Sequence, residues 1–325
     1  MNRPKIVVLG TGGTLAGTSN SKSDNIGYTA ATLGIGELLV SIDSLRDLPL
    51  VSEQVVQIDS KDMDDSVWSR LVQRCQHWLA QPDVQGIVIT HGTDTLEETA
   101  YLLHAVLAPS KPVVLTCAMR PATALLPDGP QNIVDAIAVA SWPGARGVVA
   151  VCAGAIHGAL DVRKHHTYRL DAFSSGDAGP IGYVEEASLR LLRSWPEGPA
   201  SPELPARSAL SAWASGAGWP PVEIVTSHAG ASGRVVEALL SAGVRGLVVA
   251  GTGNGTIHHA LEAALRAAQE QGVRVVRATR CAQGRVIGPA RDSFESAQGL
   301  TPVKARIALQ LELMATPTGQ SARAG

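Results

Sequence analysis

The chain is poor in several features, and each shortage removes a class of function. It has only four cysteines, Cys75, Cys117, Cys152 and Cys281, spread widely and never as C-x-x-C. Reduced, mostly buried thiols are the expectation, rather than a disulfide scaffold or a thiolate metal site. There is no H-E-x-x-H, and the adjacent pairs His165-His166 and His258-His259 would point apart on a helix or a strand. No metal is therefore expected. The net charge is −2 and no Lys/Arg block occurs, which argues against a nucleic-acid partner. No apolar run is long enough to span a membrane. Met1–Lys5 leads straight into a strand-like run with no signal-peptide core before it, so a cytoplasmic location is expected. G-x-S-x-G is absent, which excludes the nucleophile elbow of the α/β-hydrolases.

What is present is a long α/β rhythm. With 325 residues, 45% of them hydrophobic, the chain can bury a large core, and its length favours two domains. Ile6–Leu9, Val55–Ile58, Gly86–Ile89, Val113–Leu115 and Val148–Val151 read as strands, and 66–80, 96–107 and 131–141 as helices between them. Strands separated by helices imply right-handed crossovers and a parallel sheet with helices on both faces. Residues 194–221, rich in Pro, Ser, Ala and Trp, read as a linker between domains at 1–193 and 222–325. In the second domain, strands at Val222–Thr226, Gly246–Ala250 and Val273–Ala278 alternate with helices at 233–242 and 256–271. A smaller α/β domain with three or four parallel strands is expected there.

Two threonine-bearing loops follow buried strand runs: Gly10-Thr11-Gly12-Gly13-Thr14 and His91-Gly92-Thr93-Asp94-Thr95. In an open α/β sheet, loops at the carboxyl ends of strands converge on one crevice. The first loop is no dinucleotide fingerprint, because Leu15 stands where Gly or Ala is needed, and no Gly-Lys-Ser/Thr closes it as a P-loop. Its plainer reading is a tight turn with Thr14 as a helix cap. The second loop favours chemistry instead. A threonine hydroxyl needs a base or a local field to become a nucleophile. Tyr28 is the candidate beside Thr14, at the edge of a polar loop over 15–30 that reads as a lid. Asp94 adjoins Thr93, and Lys164 is the candidate cation, against the plainer reading of a surface lysine. A desolvated lysine held by a carboxylate can act as a base. Amides of the glycine-rich turn, at a helix N-terminus, would hold an oxyanion.

These stretches resemble the two-domain bacterial L-asparaginases. Thr11–Gly17 is similar to that family's first signature and His91–Ala100 to its second. Ala118-Met119-Arg120-Pro121, Asp128-Gly129-Pro130-x-Asn132, Gly253-Asn254-Gly255 and Lys304-Ala305-Arg306 extend the resemblance over nearly the whole chain. It implies Thr14 as nucleophile assisted by Tyr28, with Thr93, Asp94 and Lys164 as the second catalytic group. The implied substrate-binding set is Gly13, Asp59, Ser60, Lys61, Gly92, Ala118, Asn254 and Asp292. It further implies a homotetramer of intimate dimers, with Asn254 reaching the partner's site, and no cofactor. The reaction implied is hydrolysis of L-asparagine to L-aspartate and ammonia. Two positions depart from the family pattern. Lys61 stands where glutamine is usual, and Arg291 or Asp292 replaces a glutamate that helps bind the substrate ammonium. Low glutaminase activity is expected from these departures.

Two other functions compete with this reading. The amidase subunit of a tRNA-dependent amidotransferase resembles asparaginase but calls for an extra amino-terminal domain, whereas this chain starts at its first strand. A non-catalytic amino-acid sensor would have no need of both threonines.

Overall fold

The computed structural model describes residues 4–196, 207, 210, 211, 213, 218–287 and 294–315. The chain folds as two compact units, Met1–Ser201 and Pro202–Gly325. In the first unit, β1 (Lys5–Gly12), β2 (Leu50–Ile58), β3 (Val84–Thr90), β4 (Pro112–Thr116) and β5 (Gly147–Cys152) are parallel neighbours in the order β5-β4-β3-β1-β2. The β-branched residues of β1, β3, β4 and β5 are buried on both faces, as expected of central parallel strands, while β2 lies at the edge and buries only Val55 fully. Four helices link them: α1 (Ile35–Val40), α2 (Asp65–Leu79), α3 (Leu96–Leu107) and α4 (Gly129–Ala140). Ile6, Val8, Val88, Val114 and Val149 pack against Ile35 and Leu38 of α1 and Ile133 and Ile137 of α4. On α2 and α3, which pack on β2, β3 and β5, Trp68 Nε1 donates to Thr99 Oγ1 at 2.9 Å.

Local sequence sets these helices. The Asp64 carboxylate caps α2 by accepting from Ser66 N and Val67 N, both at 2.9 Å. Val67, Trp68, Leu71, Val72 and Cys75 then recur at helical spacing and are all buried. Each large apolar side chain so buried contributes about 1.5–3 kcal/mol.

The sheet is mixed rather than wholly parallel. Beyond β5 lie β6 (Ala155–Gly158), β9 (Gly182–Glu185) and β10 (Ser188–Leu191), each antiparallel to its neighbour. Ala153 and Gly154 alone separate β5 from β6, a hairpin connection too short for a helical crossover. A two-stranded piece, β7 (Arg163–Lys164) with β8 (Phe173–Ser174), follows β6 in sequence.

In the second unit, β11 (Val222–Thr226), β12 (Gly246–Gly251), β13 (Arg274–Thr279) and β14 (Glu295–Ser296) form a parallel sheet in that order. Helices α5 (Arg234–Ser241) and α6 (His259–Glu270) contribute Val236, Leu261 and Leu265 to one core with Leu247 and Val249. Helix α7 (Pro302–Ala315) packs Ala305 and Leu309 on Val222, Val248 and Val276 in another. Within the segment expected as a linker, Trp195 is buried in the first unit's core. Most of the rest of 194–221 lies outside the described residues.

Candidate active site

Three loops leave the carboxyl ends of β1, β2 and β3 and press together, and glycine makes the approach possible. A Cβ on Gly13, whose φ is +80°, would lie 2.4 Å from the Gly92 Cα, and one on Gly92 would lie 2.4 Å from Ser60 Oγ. No side chain fits in either gap, so the nucleophile candidates of two loops are drawn to one place. The glycine turn differs from expectation in one respect. It enters a single 3-10 turn, Thr14–Ala16, rather than a helix, and Gly13 N donates to Ile58 O at 2.9 Å. A helix N-terminus therefore does not supply an oxyanion hole here.

Thr14 is buried, and its Oγ1 lies 2.6 Å from the Tyr28 hydroxyl. Tyr28 sits on the segment expected as a lid, which is closed at its base by backbone bonds between Thr18 and Thr29 at 2.9 and 2.8 Å. Its outgoing limb is anchored too. The Thr123 hydroxyl accepts from Ser19 N at 2.8 Å and donates to Ser19 O at 3.3 Å, while Leu125 N donates to Lys22 O. Burial pushes the Tyr28 phenol above its ordinary pKa; the Thr14 hydrogen bond opposes this, and the charges of Asp59 and Asp94 add to the rise. A phenol so placed stays protonated at neutral pH, which suits it to orienting the Thr14 oxygen.

Thr93 belongs to a second cluster. Lys164 Nζ donates to Thr93 Oγ1 at 2.8 Å and to Asp94 Oδ1 at 2.6 Å. The Lys164 side chain is only 20% exposed, so it is no surface lysine. Its backbone is held by pairing with Phe173 and by a 3.3 Å bond from Lys164 N to Glu97 Oε1. Ser60, also buried, connects the loops after β2 and β3. Its Oγ accepts from Asp94 N at 3.2 Å, and its carbonyl accepts from Thr95 Oγ1 at 2.8 Å. Lys61 points elsewhere, bonding Asp59 Oδ2 at 3.0 Å and Asp62 Oδ2 at 2.9 Å. Those two carboxylates, Asp62 foremost, hold its ammonium above the usual lysine range.

Several supporting residues escaped sequence reasoning. Asp128 stands at the N-terminus of α4 yet does not cap it; its carboxylate accepts from Met119 N and Arg120 N, both at 2.9 Å. Asn132, one helical turn on, donates to Cys117 O at 2.9 Å and accepts from Ala153 N at 3.0 Å. Together they fix the loop that carries Ala118. The D-G-P-x-N stretch was visible in the sequence, but these partners lie in the loops that follow β4 and β5. His91 is fully buried, with Nδ1 2.7 Å from Gly92 O and Nε2 2.9 Å from Thr99 Oγ1. A carbonyl only accepts, so Nδ1 carries the proton and Nε2 accepts from Thr99. Burial lowers the His91 pKa to about 4.

Asn254 lies in the second unit and spends its amide on one neighbour, donating to Ile287 O at 2.5 Å and accepting from Ile287 N at 2.7 Å. Arg291 and Asp292 lie outside the described residues. Among the described residues, no group of three or more His, Cys, Asp or Glu side chains is arranged to hold a metal, and no helix is long and apolar enough to cross a membrane.

This fold and site define a class: two-unit α/β proteins with threonine hydroxyls, a lysine and carboxylates gathered at strand ends, an arrangement fit for acyl transfer. The chain belongs to the asparaginase family. Residues 5–197 match the profile "Asparaginase, N-terminal", and residues 221–324 match "Glutaminase/Asparaginase C-terminal domain". The chain is 35% identical to L-asparaginase 2 of Bacillus subtilis, over 99% of this chain and 85% of that protein. It is 35% identical to the glutaminase-asparaginase of Pseudomonas fluorescens, over 96% of this chain and 86% of that one. Among solved structures it is similar to a probable cytoplasmic L-asparaginase from Campylobacter jejuni, with a TM-score of 0.88 and 36% identity, covering 97% and 96% of the two chains.

Proposed function

We propose that the chain is an amidohydrolase that converts L-asparagine to L-aspartate and ammonia through an acyl-enzyme on Thr14. The observation that carries this reading is the pair of threonine clusters on touching loops, Thr14 with Tyr28 and Thr93 with Lys164 and Asp94. Thr14 Oγ1 attacks the side-chain amide carbon while Tyr28 holds the oxygen in line. The C–N bond breaks, and the proton given up by Thr14, passed through the Thr93–Lys164–Asp94 group, lets nitrogen leave as ammonia. Water, activated by the same group, then attacks the acyl carbon and frees Thr14. Ser60, Asp59, Asp94 and the Gly13, Gly92 and Ala118 backbone are the substrate-binding surroundings in this reading, and Asp292 is expected to join them.

Glutaminase activity is low in this reading. One methylene is discriminated by only about 10–200-fold in a pocket, so the preference depends on how the ammonium and carboxylate are anchored. The assembly is a homotetramer of intimate dimers, with the loop held by Asn254 and Ile287 contributing to the partner's site, and the location is cytoplasmic. Domain limits at 1–193 and 222–325 go with this reading. The test is ammonia release from L-asparagine, L-glutamine and D-asparagine side by side, at protein concentrations spanning dimer dissociation. Release from L-asparagine first, and its loss on dilution, is the expected result. Absence of release from L-asparagine overturns the reading.

A further inference from the structure

Two cysteines lie beneath this site and take no part in the reaction above. Cys117 follows the last residue of β4, and Cys152 ends β5. Thr116 is the register partner of Val151, so the next residue on each strand is a cysteine and the two stand side by side. Adjacent strands are about 4.8 Å apart, inside the roughly 4.4–6.8 Å that a disulfide needs between Cα atoms. The sulfurs already face each other at 3.3 Å, one thiol donating to the other. Both residues are buried, at 2% and 4% exposure, and both are free thiols. Cys75 is buried elsewhere, on α2, and Cys281 is exposed in the second unit.

The surroundings connect this pair to catalysis. Cys117 precedes Ala118, and its carbonyl accepts the Asn132 amide that also holds Ala153, the residue after Cys152. We propose that Cys117 and Cys152 are an oxidisable dithiol whose disulfide, formed with hydrogen peroxide, pulls the Ala118 loop out of position and slows turnover.

The chemistry balances. One thiol, as its thiolate, attacks a peroxide oxygen; the O–O bond breaks and a sulfenic acid forms with release of water. The second sulfur attacks the sulfenic sulfur, the S–O bond breaks, the S–S bond forms, and a second water leaves. The thiols give up two electrons and two protons, and peroxide is reduced to two waters. Closing the sulfurs to about 2.05 Å must move one or both strand ends. The hydrogen bond with the Cys152 sulfur, together with burial, holds the Cys117 thiol well above its ordinary range, so the first step is slow and quickens with rising pH. The second step needs no diffusion, since its partner is already in contact.

The experiment incubates the whole protein with peroxide for hours, then alkylates free thiols under denaturing conditions and maps peptides by mass. Ammonia release is followed in parallel. The expected result is a Cys117–Cys152 linked peptide lighter by two hydrogens, with kcat/KM reduced by about 10–100-fold, the scale of a displacement near 1 Å. Dithiothreitol should reverse both changes. Cys152→Ser should start at wild-type activity, form no such link and keep its rate in peroxide. The proposal is overturned if Cys117 and Cys152 are still alkylated separately once Cys281 is fully oxidised. It is equally overturned if the link forms without loss of rate, or if Cys152→Ser fails as fast as wild type. The peptide map is independent of the proposed amidohydrolase activity, so an inactive protein still tests the pairing.

Discussion

At the scale of single residues, the two hydroxyls differ in what surrounds them, and that difference sets what their loss should do. Thr14 has a phenol for a partner, whereas Thr93 has an ammonium and a carboxylate. Thr14→Ala removes the attacking atom, and Thr93→Val leaves Lys164 and Asp94 paired with no hydroxyl between them and the substrate. Each is expected to fold normally by circular dichroism yet lose about three orders of magnitude in kcat, because parts acting as a unit fail together. Near-native turnover in either variant would remove the two-threonine mechanism. Lys61 is a different case. It is 60% exposed and paired with two carboxylates of its own loop, so its charge reaches a substrate ammonium only weakly. Two unit charges about 4 Å apart in water interact by roughly 1 kcal/mol. Lys61→Gln should lower the KM for asparagine about fivefold at most and leave kcat alone. A steady-state comparison showing an unchanged KM would mean that Asp59 and Asp62 neutralise Lys61 completely.

At the scale of elements, the sequence was legible where hydrophobic pattern and position agreed. Ile6–Leu9 and Gly86–Ile89 read as central strands because burial on both faces leaves unbroken β-branched runs. Strand β2 begins at Leu50, five positions before the run at Val55 that announced it. Ser52, Glu53 and Gln54 hid its start: β2 is an edge strand, and Glu53 holds Arg74 and Trp78 of α2 rather than facing the core. Strands β6, β9 and β10 are short and largely without β-branched runs, and antiparallel pairing in turn, β6 on β5, β9 on β6 and β10 on β9, gives them their form. The signature loops were equally legible, but the work of Asp128 and Asn132 was not, since their partners are backbone groups of the loops after β4 and β5, which sequence pattern does not place beside α4. The lid segment offers its own test. Lys22 is its one lysine or arginine between Gly17 and Gly34, so trypsin has one target there. Thr123→Val removes both bonds to Ser19 while keeping the side chain's shape, and it should speed cleavage after Lys22 several-fold. Thr123→Ser should restore resistance, and equal cleavage rates for all three proteins would show that the clasp does not hold the segment.

At the scale of the whole molecule, two buried histidines tie stability to pH. Burial lowers both His91 and His157 to a pKa of about 4, from an ordinary 6.5. The unfolded chain takes up those protons at a higher pH than the folded one, so the stabilisation is complete above about pH 6.5 and is lost as pH falls towards 4. Each group should contribute a slope of about 1.4 kcal/mol per pH unit in that window. Urea melts from pH 7 to pH 4.5 should show this decline, and a flat midpoint across the range would contradict the buried, neutral state of both rings. The seat of the chemistry has a further consequence at this scale. Thr14, Ser60, Thr93 and Ala118 all follow the carboxyl ends of parallel strands, so the turns at the opposite ends carry frame alone. One rim of the sheet is open to engineering and the other is not. A short glycine-serine insertion between Ala108 and Lys111, joining α3 to β4, should leave ammonia release within about twofold of wild type, because lengthening a surface loop costs little. The same insertion between Arg120 and Ala122 should abolish it.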